Sequence, residues 1–227
     1  MVRQAVRFPA AGEDAPYLEG ELWRTEGEQA VAAVVVAHPH PLRGGSMDNN
    51  VVMALGQGLQ QAGIAWLRFN FRGVGRSEGE HGGGAEEPSD ILGALAFLAA
   101  QPGIDVDRVG LAGYSFGARV SLATVGRTPA GEGPSVRALL CVAPPLQEPL
   151  PAEGRPTCPF VVLVGDRDGV LSQGAERYSS FLPDPQSLRV VPGTDHFWRG
   201  FEPILVDAAR DFFSETLAPG KTAPQTA

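Results

Sequence analysis

The sequence predicts an α/β fold: a doubly wound, mostly parallel sheet of about eight strands with helices on both faces. Short apolar runs alternate along the chain with segments of helical periodicity. The run 30–37 is continuously apolar and rich in valine, which is typical of a parallel strand covered on both faces. A Gly-x-Ser-x-Gly sequence at 113–117 joins a strand directly to a helix. These features together favour a doubly wound sheet over other α/β arrangements.

Composition limits the number of domains and the classes of partner. The chain has 227 residues, of which 43% are hydrophobic, so it can bury roughly 70–75% of its unfolded surface in one core. We expect a single domain over 1–217 and a disordered tail over 218–227. A net charge of -8 without a Lys/Arg cluster argues against nucleic acid and membrane surfaces as partners. A homodimer is compatible with the sequence, which does not decide the oligomeric state.

Cysteine usage and hydropathy predict the compartment. The two cysteines, Cys141 and Cys158, do not form a disulfide framework, and we expect both to be reduced. No apolar run approaches the 18 or so residues of a membrane span, and the first residues are too charged for a signal peptide. The expected localisation is cytoplasmic.

The first half of the chain predicts an antiparallel edge followed by the start of the parallel sheet. Leu18, Gly20 and Leu22 alternate with two glutamates, as in a half-exposed strand. Ser46 or Asp48 is the expected N-cap of the first helix, with Gly63 as its C-cap. The predicted order is strand 2–8, strand 17–23, strand 30–37, helix 48–63, strand 64–69, glycine-rich loop 73–84 and helix 89–101.

The second half predicts the central strand and the remaining elements. Prolines at 144, 145, 149, 151 and 156 exclude a helical lid in the segment 144–159, so the end of the sheet above it should be open to solvent. The predicted order is strand 109–112 with a helix after 115, strand 138–143, strand 160–164, helix 172–182, strand 188–191 and helix 202–217.

Ser115 is the candidate nucleophile, at the turn between a strand and a helix. A second Gly-x-Ser-x-Gly match contains Ser77, but Glu-His-Gly-Gly-Gly follows it and cannot begin a helix, so we assign Ser77 to a loop. Gly113 and Gly117 are expected to lack side chains because strand and helix pass too close for a Cβ atom.

A serine nucleophile needs a base and an acid that orients the base. Of the four histidines, His196 follows the last strand, where a loop can reach the carboxyl ends of its neighbours. We therefore predict His196 as the base. Asp166 and Asp168 both follow strand 160–164 and are both candidates for the acid. Asp195 is a weaker third choice because neighbouring side chains diverge.

An oxyanion hole requires two backbone N–H groups. One is expected from Phe116, at a helix N-terminus. The other should follow strand 30–37, where the alternating prolines have no N–H and leave His40 as the first candidate and Leu42 as the second. A metal site at His38 and His40 is disfavoured because no third ligand is near in sequence. His38 is expected to make structural hydrogen bonds.

The glycine-rich loop lacks the spacing of a phosphate-binding motif. We instead expect a tight turn in which Arg72 pairs with an acid such as Asp90. The four acids of this region are expected to form a solvated surface: Glu78, Glu80, Glu86 and Glu87.

In combination these motifs resemble the α/β-hydrolase superfamily, and most closely its small, lidless bacterial serine hydrolases. The resemblance covers residues 15–215 and rests on His-Pro-His-Pro at 38–41, Arg-Phe-Asn-Phe-Arg-Gly at 68–73, Gly-Tyr-Ser-Phe-Gly at 113–117, Gly-Asp-Arg-Asp at 165–168 and Gly-Thr-Asp-His at 193–196. It implies Asp168 as the acid, and Phe116 and His40 as the oxyanion donors. Two departures from the wider pattern are Pro39 in place of glycine and Arg43 in place of an aromatic residue.

The resulting hypothesis is a serine hydrolase that cleaves a small-molecule carboxylic ester or thioester with a short acyl group. No metal or organic cofactor is required, and activity is predicted to rise as the pH passes about 6–7. One alternative is an aminopeptidase-like amide hydrolase in which Glu148 or Glu153 binds the substrate amine. Another is a non-catalytic binding module on the same fold.

Overall fold

An eight-stranded sheet organises the computed structural model, which describes residues 1–25, 27, 29–127, 135–150, 155–171 and 174–220. The strands are β1 (Val2–Pro9), β2 (Tyr17–Arg24), β3 (Val31–Ala37), β4 (Ala65–Phe69), β5 (Ile104–Tyr114), β6 (Val136–Val142), β7 (Phe160–Gly165) and β8 (Leu188–Val191). Their order in the sheet is β1-β2-β4-β3-β5-β6-β7-β8, with antiparallel pairing at β1-β2 and β2-β4 and parallel pairing elsewhere. The doubly wound, mostly parallel sheet is therefore confirmed.

Helices cover both faces because the central strands are apolar on both faces. In β3, Ala33 and Val35 pack into the core beneath α2 and α3, whereas Val34 and Val36 pack beneath α1 and α5. This division follows the two-residue period of a strand. The helices are α1 (Asn50–Gln61), α2 (Glu87–Ala99), α3 (Phe116–Arg127), α4 (Ala175–Ser179) and α5 (Glu202–Thr216).

The register of the parallel strands brings their carboxyl ends to one edge. Ala37 at the end of β3 pairs with Gly113, and Tyr114 at the end of β5 pairs with Val142. The loops that follow β3, β5, β6 and β7 therefore leave the sheet side by side. This edge is where an open α/β sheet forms its ligand site.

Three helices have boundaries at least two residues away from the sequence prediction. The C-cap of α1 is Ala62 and not the predicted Gly63. The N-cap of α1 is Asn49, whose Oδ1 accepts a hydrogen bond from the backbone of Val51 at 2.9 Å. Asp48 instead pairs with Arg68 at 2.5 Å. Helix α2 begins earlier than predicted, since Pro88 fits a first helical turn. The predicted helix 172–182 is the shorter α4, and residues 172–173 lie outside the described part.

The Arg72–Asp90 pair is present as predicted. Nη2 of Arg72 lies 2.7 Å from Oδ1 of Asp90, and both side chains are buried. The prediction for Glu87 was wrong, because its side chain is fully buried. Its carboxylate accepts hydrogen bonds from the backbone of Gly82 at 2.8 Å and Gly84 at 2.7 Å. The glycine-rich loop thus folds around an acid of its own chain.

Ser77 lies in a loop, as predicted. Its hydroxyl donates to the carbonyl of Asn70 at 2.7 Å and accepts from the backbone of Glu19 at 3.1 Å. In 144–150 and 155–159 the structure has no helix, and 151–154 lie outside the described residues. Residues 221–227, which form most of the tail predicted to be disordered, also lie outside the described residues. No helix in the described ranges is long and apolar enough to span a membrane.

Candidate active site

Ser115 lies at a sharp corner between β5 and α3. Its φ of 52° is left-handed, which costs a non-glycine residue on the order of 1–3 kcal/mol. Two backbone hydrogen bonds hold the corner: Ser115 donates to Val142 at 2.8 Å, and its carbonyl accepts from Arg119 at 3.0 Å. The surrounding sheet and helix therefore stabilise the strained position and keep the hydroxyl at the sheet edge.

The two glycines of the motif are required by close packing. A Cβ atom at Gly113 would lie 2.7 Å from the backbone nitrogen of Ala118. At Gly117 it would lie 2.5 Å from the carbonyl oxygen of His38. Neither distance is compatible with a side chain unless the backbone moves, as expected from the sequence.

The loop after β8 brings His196 to Ser115. Nε2 of His196 lies 3.0 Å from the Ser115 hydroxyl oxygen, and its Nδ1 lies 2.8 Å from Oδ2 of Asp168. The Asp168 side chain is 1% exposed, whereas that of His196 is 31% exposed. A buried carboxylate thus orients an imidazole that remains accessible to solvent.

The other two candidate acids are used elsewhere. Asp166 accepts a hydrogen bond from the backbone of Gly193 at 2.7 Å, and Asp195 accepts one from the backbone of Phe197 at 2.9 Å. Both contacts stabilise the loop that carries His196. Of the three acids, only Asp168 has a hydrogen bond to the His196 ring within the described chain.

Two residues that sequence analysis missed anchor this loop. The hydroxyl of Tyr114 donates to the carbonyl of His196. Trp198 is fully buried with a φ of 59°, so its indole holds the loop in the core although the backbone is strained. A possible signal for Tyr114 was its position next to Ser115, where a long side chain can reach a neighbouring loop.

The side chains of the two residues predicted as oxyanion donors pack against each other. The rings of His40 and Phe116 lie 5.0 Å apart. Among the described residues, neither of their N–H groups has a hydrogen-bond acceptor. The carbonyl of His40 accepts from Arg43 and Gly45, each at 3.0 Å, which fixes the turn. Leu42, the second candidate, has 76% of its surface exposed.

His38 is structural, as expected. Its Nε2 accepts a hydrogen bond from the backbone of Phe71 at 3.0 Å, and its Nδ1 donates to the carbonyl of Pro39 at 2.6 Å. Burial lowers the pKa of this imidazole to about 4, against a smaller raising effect of the Pro39 contact. Because both ring nitrogens are occupied, His38 has no free lone pair for a metal.

A second imidazole and carboxylate lie beside Phe116. Nδ1 of His81 is 2.8 Å from Oε1 of Glu87, a close contact that lacks the geometry of a hydrogen bond. The His81 ring lies 5.0 Å from that of His40 and 5.3 Å from that of Phe116. Sequence analysis did not find this cluster. Its only signal was the run of glycines at 82–84, whose N–H groups need an acceptor.

Comparison with known proteins identifies the family. Residues 14–132, more than half of the chain, match the model of the X-Pro dipeptidyl-peptidase (S15 family). The chain therefore belongs to the S15 family of the α/β-hydrolase superfamily. This assignment confirms the resemblance to the superfamily found in the sequence.

Three relatives show what this S15-family chain is similar to. The uncharacterized protein RP471 of Rickettsia prowazekii is 31% identical over 205 residues, which cover 81% of each chain. XC6422 of Xanthomonas campestris, an α/β serine hydrolase without lid, is 28% identical over 96% of this chain and 97% of its own, with a TM-score of 0.76. Thiohydrolase apmlB of Arthrinium phaeospermum is 28% identical over 72% of this chain and 52% of its own length. Fold and family together make the chain an α/β serine hydrolase.

Proposed function

We propose that this hydrolase cleaves carboxylic esters and thioesters with short acyl groups, through an acyl-enzyme intermediate on Ser115. The observation that carries the proposal is the continuous chain of hydrogen bonds from Ser115 through His196 to Asp168, at 3.0 and 2.8 Å. This order of hydroxyl, imidazole and buried carboxylate is what activates a serine at neutral pH.

In the first half-reaction, the Ser115 oxygen attacks the carbonyl carbon of the substrate while Nε2 of His196 accepts the hydroxyl proton. Asp168 accepts the Nδ1–H hydrogen bond and stabilises the imidazolium that forms. The bond to the leaving group then breaks, and His196 returns the proton to the departing oxygen or sulfur. The acyl group remains on Ser115.

In the second half-reaction, water replaces the alcohol or thiol. His196 accepts a proton from the water as its oxygen attacks the acyl carbon, and the same proton then goes to the Ser115 oxygen as the carboxylic acid leaves. The N–H groups of Phe116 and His40 stabilise the oxyanion in both steps. A single donor of this kind typically contributes about 2.7–4 kcal/mol.

A nearby cavity supports a short acyl group. It has a volume of about 430 Å³, and one of its lining residues is Gly169, which follows Asp168 in the chain. Its walls come from the segments after β6 and β7 and combine the apolar side chains of Leu146, Val170 and Phe181 with a larger share of polar surface, to which Gln147 contributes. A cleft of this size can hold a short acyl group, and its polar walls do not favour a long apolar chain. Thioesters are included because the relative from Arthrinium phaeospermum is a thiohydrolase.

Labelling with a fluorophosphonate tests the proposal. The expected result is one covalent adduct, found by mass spectrometry on Ser115, and hydrolysis of 4-nitrophenyl acetate. Ser115→Ala should abolish the adduct and reduce kcat by a factor on the order of 10⁶. Ser77→Ala is the matched control, because it alters the other Gly-x-Ser-x-Gly match and should leave labelling intact. A folded protein without an adduct would favour the binding module.

A second candidate is an amide hydrolase, which the match to the X-Pro dipeptidyl-peptidase family favours. Such an enzyme needs an acid to bind the substrate amine. Glu148 is exposed, and Glu153 lies outside the described residues. Comparing the kcat/KM values for 4-nitrophenyl acetate and glycyl-prolyl-4-nitroanilide separates the candidates. A higher kcat/KM for the anilide would favour the peptidase proposal over the esterase proposal.

A further inference from the structure

Three basic side chains contact the ring of Phe116, next to the proposed oxyanion hole, and a fourth belongs to the turn that begins at His40. We define this cationic rim as His40, Arg43, His81 and Arg119. The two imidazole rings contact each other and Phe116 with centroid distances of 5.0–5.3 Å. The Arg119 guanidinium lies over the Phe116 ring, 5.6 Å from its centroid. Arg43 follows His40 by three residues and donates its backbone N–H to the His40 carbonyl.

The two arginines of the rim are not neutralised. In the described part of the chain, no carboxylate oxygen lies within 4.0 Å of either guanidinium, and both residues are exposed. The closest polar contact of Arg119 is a long one of 3.5 Å to the carbonyl of Gly83. Other arginines of the described chain also have no carboxylate partner, and what distinguishes these two is their position beside Phe116 and His40.

Among the described residues, the acid that contacts the rim is Glu87, which faces inward. Glu87 is fully buried, and its carboxylate is occupied by the N–H groups of Gly82 and Gly84 and by His81. The Glu87 carboxylate therefore contacts the His81 ring from the protein interior and presents no oxygen to solvent. In addition, Nδ1 of His40 is buried and has no hydrogen-bond partner among the described residues.

The His40 imidazole reports the sign of the local potential. Desolvation lowers its pKa most, and the charges of His81, Arg43 and Arg119 lower it further. The charge of Glu87 acts in the opposite direction and raises the pKa. A small anion near the ring would be attracted, and its effective concentration raised, by the same field.

We propose that the cationic rim binds an anionic group of the substrate, so that the preferred esters or thioesters carry a carboxylate or phosphate near the scissile carbonyl. This inference rests on the proposed function and specifies its substrate class. Guanidinium groups suit the role because their planar N–H donors match the oxygens of carboxylates and phosphates. The negative charge could belong to either the acyl group or the leaving group.

Two matched substrate pairs test the inference. For the acyl side, mono-4-nitrophenyl glutarate is compared with 4-nitrophenyl pentanoate. For the leaving group, acetyl-coenzyme A is compared with S-acetyl-N-acetylcysteamine. We expect kcat/KM to favour the anionic member of at least one pair by about fivefold or more. The ratio should shrink in 0.5 M NaCl, because salt screens exposed charges (Debye length about 3 Å at 1 M).

Three variants assign the preference. Arg43→Gln and Arg119→Gln should each move the ratio of anionic to neutral kcat/KM toward one. Arg119 contacts the ring of Phe116, a proposed oxyanion donor, whereas the structure records no such contact for Arg43 among the described residues. Arg43→Gln therefore tests the charge of the rim separately from the packing of Phe116. Arg24→Gln is the control, because it removes the same charge at the opposite edge of the sheet and should leave the ratio unchanged. The inference is wrong if neither substrate pair shows a higher kcat/KM for its anionic member. It is also wrong if both rim variants keep the wild-type ratio of anionic to neutral kcat/KM. Failure of the proposed function would give a different result. The wild-type protein would then neither hydrolyse the neutral esters nor form the fluorophosphonate adduct on Ser115.

Discussion

The hydroxyl of Tyr114 donates a hydrogen bond to the backbone carbonyl of His196, with an oxygen–oxygen distance of 2.6 Å. Burial raises the pKa of this phenol, and the charges of Asp168 and Asp195 raise it further, so the group remains a neutral donor. The contact joins the residue before Ser115 to the loop that carries the imidazole. The 3.0 Å distance between Ser115 and His196 therefore depends in part on Tyr114.

Tyr114→Phe should reduce kcat by about tenfold and leave KM nearly unchanged, because one neutral hydrogen bond contributes about 1–1.5 kcal/mol. The physical reason is that the His196 loop loses an anchor while the substrate pocket keeps its shape. Steady-state kinetics on 4-nitrophenyl acetate measure the effect, and the rate of fluorophosphonate labelling should fall in parallel. A raised KM with normal kcat would contradict a positioning role.

Asp168→Asn and Asp166→Asn form a matched pair. The first should reduce kcat by a factor on the order of 10⁴, because an amide does not orient and stabilise the imidazole as a carboxylate does. The second removes a contact to Gly193 and should lower the free energy of unfolding by about 1 kcal/mol. Its kcat should stay close to that of the wild type. Equal losses of kcat in the two variants would show that Asp168 has no special role.

Gly117→Ala should destabilise the fold by about 1–3 kcal/mol, since the new methyl group would lie 2.5 Å from the His38 carbonyl. Urea denaturation measures the change. The control is Gly27→Ala, where an added Cβ meets no atom within 4 Å. If both variants unfold at the same urea concentration as the wild type, the close packing of α3 against the turn after β3 is not as described.

His38 should make stability depend on pH. Its pKa falls from the ordinary 6.5 in the unfolded chain to about 4 in the fold, so the unfolded chain binds more protons between these values. Stability is therefore retained above pH 6.5 and is lost as the pH falls toward 4, by roughly 3 kcal/mol in total. Denaturant midpoints at several pH values measure this loss.

His38→Gln isolates this contribution from other titrating groups. Glutamine can still accept and donate hydrogen bonds but does not titrate. The variant should be less stable at pH 7, and its stability should fall less steeply between pH 6.5 and 4. Parallel pH profiles for the variant and the wild type would rule out His38 as the source.

The order of the elements and the approximate position of the site could be predicted because both follow from local patterns and one topological rule. Hydrophobic periodicity identified the eight strands, and the rule that parallel strands end at one edge placed His196 near Ser115. The choice between Asp166 and Asp168 could not be derived from spacing. The two lie on one turn, and the backbone contacts of that turn with Thr194 and Val191 decide which carboxylate faces the imidazole.

The errors arose where long-range contacts override local preference. Ser46, Asp48 and Asn49 are all suitable N-caps, but Asp48 pairs with Arg68, and Asn49 caps α1 instead. Glu87 has the sequence context of a solvated acid. Its burial depends on glycine N–H groups that fold over it, and no periodicity reveals such an arrangement.

The partial exposure of the His196 ring, set against its almost fully buried carboxylate partner, has a consequence for the catalytic cycle. With the described residues in place, bulk water can approach the imidazole directly for the proposed hydrolytic step. In the proposed mechanism, solvent is therefore available as the second reactant without a prior conformational step.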